Sequence, residues 1–485
     1  MIQREFNMHV RLDTLQCLTL AILLAANTSF AAGPYQATGL KVGEVDDTSA
    51  IVWTRLTRNA KRNPADGPMV TFEMSKTKKN QVVGVDYPAG TDVNGLRDAV
   101  PGTAGEVRVL YRRQGADGWQ KTDWHAVDPQ WDFTHQFKLT GLQQGARYVL
   151  RVESRFGGEH GQTINGKFRT APDDRDPARV VFTVSTGQAF RDKDLPEGYK
   201  IYAPMLALDP SFFVHTGDIV YYDRLAKTVE LANYHWQRTY GLPTNVTFHN
   251  QVASYFIKDD HDVWQNDCWP SMKNKKMFQF TFAQGLAIFP QQVPMGRSTY
   301  RTRRWGKDLQ IWLVEGRDFR SANTMSDGPA KTIWGEAQKE WFRQTVEASD
   351  ATFKILISPT PVVGPDRTNK NDNHSNKGFI HAGDQLRKFI ASQKNLVVVC
   401  GDRHWQYMTV HPGTGVREYS CGPASNQHAG GWKQSDFRPN YHKYLNVVGG
   451  FLSATVDRKA GAPTLSFRYH DVAGKVLFED HLGAD

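Results

Sequence analysis

From Gly33 onward, apolar positions first recur every second residue. Segments 49–55, 106–112, 133–139 and 148–154 alternate apolar and polar side chains, and clusters of Gly, Pro and Asp separate them. This spacing, with no helical periods between, predicts an antiparallel β-sandwich of the fibronectin or immunoglobulin type over 33–172, with Trp53 in its core. Residues 59–68 and 87–105 read as long loops. At Ala171-Pro172-Asp173-Asp174-Arg175-Asp176-Pro177 the chain turns polar and Pro-rich, which marks a linker. Beyond it the rhythm changes. Unbroken apolar runs at 180–184, 211–215, 309–314, 353–358 and 396–400 alternate with helical spacing at 199–208, 229–240 and 334–347. Strands alternating with helices predict an α/β layered domain over 178–485, whose final part returns to β at 416–421, 444–456 and 464–469.

Composition removes several classes. With 12% aromatic and 22% charged residues, the chain is not disordered. It has no short repeat, so it is no coiled coil or collagen-like rod. The net charge of +9 favours anionic ligands, but Lys and Arg are scattered, so a basic solvated surface is expected and no stable nucleic-acid partner.

Arg4 and Arg11 precede an apolar run at 15–26, followed by Ser29-Phe30-Ala31 with small residues where a signal peptidase reads. The expectation is a Sec-type signal peptide over 1–31, without a twin arginine, and a periplasmic or secreted monomer. The run is shorter than the ~20 residues a transmembrane helix needs, and no other stretch could cross a bilayer. Thr14-Leu15-Gln16-Cys17 lacks the small residue that precedes a lipidated cysteine. Cys268, Cys400 and Cys421 remain. Cys400 and Cys421 each precede a glycine at the end of an apolar strand, so one disulfide or three buried thiols both fit.

Four segments carry candidate chemistry, because loops at strand carboxyl ends converge on one crevice in open α/β sheets. In Gly217-Asp218-Ile219-Val220-Tyr221, the glycine permits a sharp turn, Asp218 could bridge two metal ions and Tyr221 could be a phenolate ligand. In Asp259-Asp260-His261-Asp262, followed by Asn266, acids crowd a histidine and repel one another unless a cation compensates them. In Gly401-Asp402-Arg403-His404, residues two apart in extended backbone could address one centre. In Glu315-Gly316-Arg317-Asp318-Phe319-Arg320, a forked guanidinium suits phosphate, while Arg320 reads equally as an ion-pairing arginine.

These motifs, in this order, resemble the PhoD-like alkaline phosphatases and phosphodiesterases of the calcineurin-like metallophosphoesterases. Val42-Gly43-Glu44 with Ala50-Ile51-Val52-Trp53-Thr54-Arg55-Leu56 is similar to the start of that family's N-terminal β-domain. Gly335, Gln338 and Trp341 match its Gly-x-x-Gln-x-x-Trp helix, and 371–379 resembles its loop before a helix. The resemblance covers nearly all of the chain after the signal peptide. It implies a four-layer α/β/β/α catalytic domain that hydrolyses small phosphate mono- and diesters, with calcium and, in some members, ferric iron. It further implies metal ligation by Asp218, Tyr221, Asp260, Asn266, Asp402 and His404. Substrate contact would come from Arg317 and Asp262. His261 or His404 would protonate the leaving oxygen, an alternative the sequence leaves open.

Two departures bear on this. Gly187, in Thr186-Gly187-Gln188, stands where the family's iron-binding Cys is expected and offers no ligand to iron; Cys268, close to Asn266 in sequence, is the alternative thiol. Glu315 stands where the family often has Asp. Two other readings compete with a general phosphatase. One is a diesterase acting on phospholipids or nucleotides. The other is a secreted binding protein with a decayed metal site.

Overall fold

The computed structural model describes residues 33–484; the expected signal peptide and Cys17 lie outside them. The apolar runs become central strands of two sheets, because a strand covered on both faces needs apolar side chains at every position. The larger sheet has nine strands in the order Val476–Gly483, Ala462–Asp471, Gly450–Lys459, Val180–Ser185, Phe212–His215, Ser254–Phe256, Leu40–Gly43, Ala50–Arg55 and Thr134–Leu139. Its centre, from Val180–Ser185 to Leu40–Gly43, is parallel. The second sheet has seven strands. Its parallel centre is Leu309–Leu313, Phe353–Ser358, Leu396–Cys400 and Arg417–Cys421, flanked by Arg301–Trp305 on one side and Gln406–Val410 and His442–Asn446 on the other.

Alternation within each run decides what it packs against. Phe182, Val184, Phe212 and Val214 of the first sheet share one core with Ile311, Leu313, Ile355, Ile357, Val397 and Val399 of the second. Each such side chain contributes roughly 1.5–3 kcal/mol by leaving water. The residues between them face outward. Trp312, Leu356 and Val398 pack on Phe342 and Val346 of the helix Gly335–Glu347 and on Ile390 of Ile380–Ala391. Phe213 packs on Tyr202 and Met205 of the helix Tyr202–Ala207. The expected α/β/β/α layering results. No helix among the described residues is long and apolar enough to cross a membrane.

The N-terminal sandwich is present, in a form its pattern does not reveal. Strands Glu106–Arg113, Arg147–Phe156 and Glu159–Arg169 form one antiparallel sheet. Its Val107, Val109, Leu150 and Val152 share a core with Leu40, Val42, Val52 and Phe137. Those last four lie on the end strands of the nine-stranded sheet, so one face of the sandwich continues the catalytic sheet. The junction is polar as well as main-chain. Glu44, buried, pairs with Arg301 at 2.7 Å and Arg303 at 2.5 Å, and Trp53 donates to the Gln291 carbonyl at 2.7 Å. A hairpin of Thr71–Met74 and Val82–Asp86 follows the first expected loop; its side chains are largely exposed, so no apolar alternation announces it.

Candidate metal centre

The parallel strands of both sheets deliver their carboxyl ends to one place. A parallel bridge between Thr186 and Pro423 ties the sheets there, and Ala424 N–H donates to the carbonyls of Thr186 and Gly187, each at 3.1 Å. Both Gly-Asp pairs serve close approach as much as turning. A Cβ on Gly217, whose φ is +106°, would stand 2.6 Å from Asp259 Cβ, and one on Gly401 would stand 2.5 Å from Thr216 Oγ1. The aspartates that follow take left-handed backbone, at φ 57° for Asp218 and 62° for Asp402. Non-glycine residues held there carry strain that packed surroundings must enforce.

Asp218 is buried and sits between two groups of donors. On one side Tyr221 Oη donates to Asp218 Oδ2 at 3.1 Å and lies 3.3 Å from His404 Nε2 and 2.6 Å from His428 Nε2. His404 Nε2 lies 3.7 Å from Asp218 Oδ2. On the other side ligand atoms of Asp218, Asp260 and His261 fall within 4.8 Å of one another. His261 Nδ1 meets Asp223 Oδ2 at 2.5 Å, and its ring lies 4.3 Å from that of Tyr221.

The charges show what the site lacks. Burial, reinforced by Asp260 and opposed by His261, pushes Asp218 up to about 6. Burial pushes Asp402 up to about 7, against Arg403, with Asp372 adding to the rise. Asp218 Oδ1 and Asp259 Oδ2 are buried without a hydrogen-bond partner. Buried acids crowded together, two of them with an oxygen left unpartnered, fit cations, and imidazole, phenol and carboxylate form a donor set for a hard or borderline metal. The two histidines differ. Burial would lower His261, but Asp223, Asp260 and Asp218 together hold it well above the usual range. Burial, then His428 and His261, hold His404 well below it.

Several sequence expectations are relocated. Asp262 faces the protein interior. It is fully buried, and its carboxylate accepts from the N–H groups of Ile219 at 2.7 Å, Val220 at 2.9 Å and Asp259 at 3.0 Å, fixing the turn after Asp218. Arg317 also has no exposed surface. Its Nε donates to Asp259 Oδ1 at 2.6 Å and its Nη1 to the Cys268 carbonyl at 3.2 Å, so it braces the acidic segment from behind. Asn266 is exposed and reaches the site only through its backbone N–H, which donates to Asp223 Oδ1 at 2.8 Å. Glu315 forms a buried pair with Lys258, and Gln338 of the Gly335–Glu347 helix clamps its backbone from both sides. Arg320 bonds the carbonyls of Gly316 and Asp372, a structural arginine. Cys268 is fully buried, its Sγ contacts the Asp260 carbonyl at 3.5 Å, and burial pushes its thiol up. Cys400 and Cys421 are neighbours but free thiols. Asp223 and His428 were missed. Asp223 lies two residues past the Gly-Asp-x-x-Tyr motif, while His428 stands two residues before Gly430-Gly431 with no motif around it.

Two parallel-centred sheets with acids and histidines at their facing carboxyl ends define a metallophosphoesterase. The chain belongs to the PhoD-like phosphatase family. The PhoD-like phosphatase profile matches residues 182–448, and that of the PhoD-like phosphatase N-terminal domain matches 24–172. A solved structure of PhoD is similar with a TM-score of 0.71 and 15% identity, over 94% of this chain and 91% of that one. The purple acid phosphatase PPD1 from yellow lupin (Lupinus luteus) seeds gives a TM-score of 0.60 at 11% identity, over 92% of this chain and 74% of that one. At these identities the likeness is one of fold. No curated sequence adds a relative. Family membership makes the chain a metal-dependent phosphoester hydrolase.

Proposed function

We propose that the chain is an exported phosphatase or phosphodiesterase that hydrolyses small phosphate esters, with Asp218 shared between two cation sites. Asp218, Tyr221 and His404 would hold one cation, and Asp218, Asp260 and His261 border the second, with Asp402 supplying further charge. Calcium suits the carboxylate side, and ferric iron suits the side with the phenol. When bound, such cations lower the pKa of water and neutralise charge on phosphoryl oxygens. The observation that carries the reading is the convergence of these donors around a buried Asp218 whose Oδ1 has no partner.

The chain's own residues divide the proton work. His261, whose Nδ1 meets Asp223 Oδ2 at 2.5 Å, is the donor to the leaving oxygen, and His404 Nε2 faces Tyr221 and Asp218 as a ligand. Asp262 and Arg317 act by position, holding the Asp218 turn and the Asp259-Asp260 segment.

A nucleotide-like diester is a second reading with its own support. A hollow of about 480 Å³ is lined by Arg367, Trp432, Phe437 and Arg438, and its Gly431 adjoins Gly430, whose N–H donates to the His404 carbonyl at 2.9 Å. Cations beside aromatic rings suit a planar base carrying phosphate. The test is hydrolysis of 4-nitrophenyl phosphate and bis(4-nitrophenyl) phosphate with and without chelator. Chelator-sensitive turnover of either supports the proposal. Turnover indifferent to chelation, or none on either ester with metals loaded, would leave the decayed binding protein as the reading.

A further inference from the structure

Resting on the metallohydrolase reading above, we infer that His428 is a metal ligand, completing with Asp218, Tyr221 and His404 the cation site on the tyrosine side. Its Nε2 lies 2.6 Å from Tyr221 Oη, the atom that also approaches Asp218 Oδ2 at 3.1 Å and His404 Nε2 at 3.3 Å. These separations bring all four donor groups close enough to converge on one small cation.

The other ring nitrogen is already committed. His428 Nδ1 meets Asp192 Oδ2 at 2.7 Å. A carboxylate cannot donate, so Nδ1 carries the hydrogen of that bond, and it is Nε2 that faces Tyr221 and would meet the cation. A carboxylate behind the imidazole is the usual device for orienting a ligating histidine and raising its basicity. The side chain is 10% exposed and its ring lies 4.0 Å from that of His404. Neither stacking nor burial alone requires Nε2 to point into a group of donor atoms.

The backbone makes room for it. A Cβ on Gly187 would stand 3.1 Å from His428 Cδ2 and 3.4 Å from His404 Cδ2, with its φ of +51° adding strain. Gly187 is therefore the residue that admits both rings. The loop carrying His428 is anchored from two directions: Ser425 Oγ bonds the Asp192 carbonyl, and Asn426 Oδ1 accepts from Gly449 N–H at 2.9 Å.

The test is Co2+ titration of the metal-free protein, read by visible absorption, with circular dichroism as the fold control. His428→Ala should weaken one Co2+ site at least roughly tenfold and alter its ligand-field bands. Asp192→Asn should weaken it about ten- to a hundredfold with smaller spectral change, as expected of an orienting partner. His428→Gln keeps volume and offers only an amide; it carries the test where the alanine variant does not fold. Unchanged Co2+ affinity and spectrum in a folded His428 variant, beside an Asp218→Asn variant that has lost Co2+, would overturn the assignment and leave the metallohydrolase reading standing. Unchanged binding in Asp218→Asn as well would remove that reading itself.

Discussion

Arg317 Nε donates to Asp259 Oδ1 at 2.6 Å, and neither side chain has exposed surface. Asp259 in turn gives its N–H to Asp262, so the ion pair sits beneath the whole acidic segment. Arg317→Ala would leave a carboxylate buried and unpaired, a loss of about 3–5 kcal/mol. Arg317→Lys should recover part of it, because charge is kept and the fork is lost. Urea unfolding measures both. An alanine variant with an unchanged midpoint and slow turnover would return Arg317 to the phosphate.

Leaving-group dependence separates His261 from His404. His261→Gln should lower kcat on phenyl phosphate by roughly 10²–10⁴, and much less on 4-nitrophenyl phosphate, whose leaving group needs less protonation. Asp223→Asn removes the first of the charges that raise His261, so the alkaline limb of the rate profile should move to lower pH. An equal fall on both esters would take the donor role from His261.

Without metals, Asp218 keeps its proton up to about pH 6, against an ordinary value of 3.8. The folded chain then binds more protons than the unfolded one between those values, and this contribution to stability falls as pH rises through the window. The loss is on the order of 3 kcal/mol. Chelated Asp218→Asn lacks it, so its stability relative to chelated wild type should climb from pH 4 to pH 7. Thermal melts across that range decide the matter, and a flat or falling difference contradicts it.

Gly217→Ala should disturb the site without touching a donor. The added methyl meets Asp259 Cβ at 2.6 Å, and a φ of +106° strains any L side chain. A cost of roughly 1–3 kcal/mol from the backbone alone is expected, with loss of metal as Asp218 and Asp259 separate. Metal analysis and unfolding midpoints near wild type would show that the turn yields more easily than its packing implies.

The sheets and most donors were legible because their signals are local. An apolar run ending in Gly-Asp states both a covered strand and a turn, as at Asp218 and Asp402. The roles of Asp262 and Arg317 were not, since the same letters serve a buried brace or an open site, and only partners at a distance in sequence decide which. Gly187 read as a missing ligand; in space its lack of a side chain admits the His404 and His428 rings. His428 was invisible for the same reason: its partners Asp192 and Tyr221 come from loops about two hundred residues earlier. The shared sandwich face was hidden because Gly43 pairs with Ser254, far along the chain.

That last pairing has a consequence for how the molecule can be divided. Severing the chain at the Pro-rich stretch near residue 175 would bare the Ser254–Phe256 edge of a parallel sheet and strip Arg301 and Arg303 of Glu44. An uncovered strand edge recruits other chains. The two regions matched by separate profiles are thus one cooperative body: a calorimetric scan of the intact protein should show a single endotherm, and the isolated C-terminal fragment should aggregate rather than hydrolyse.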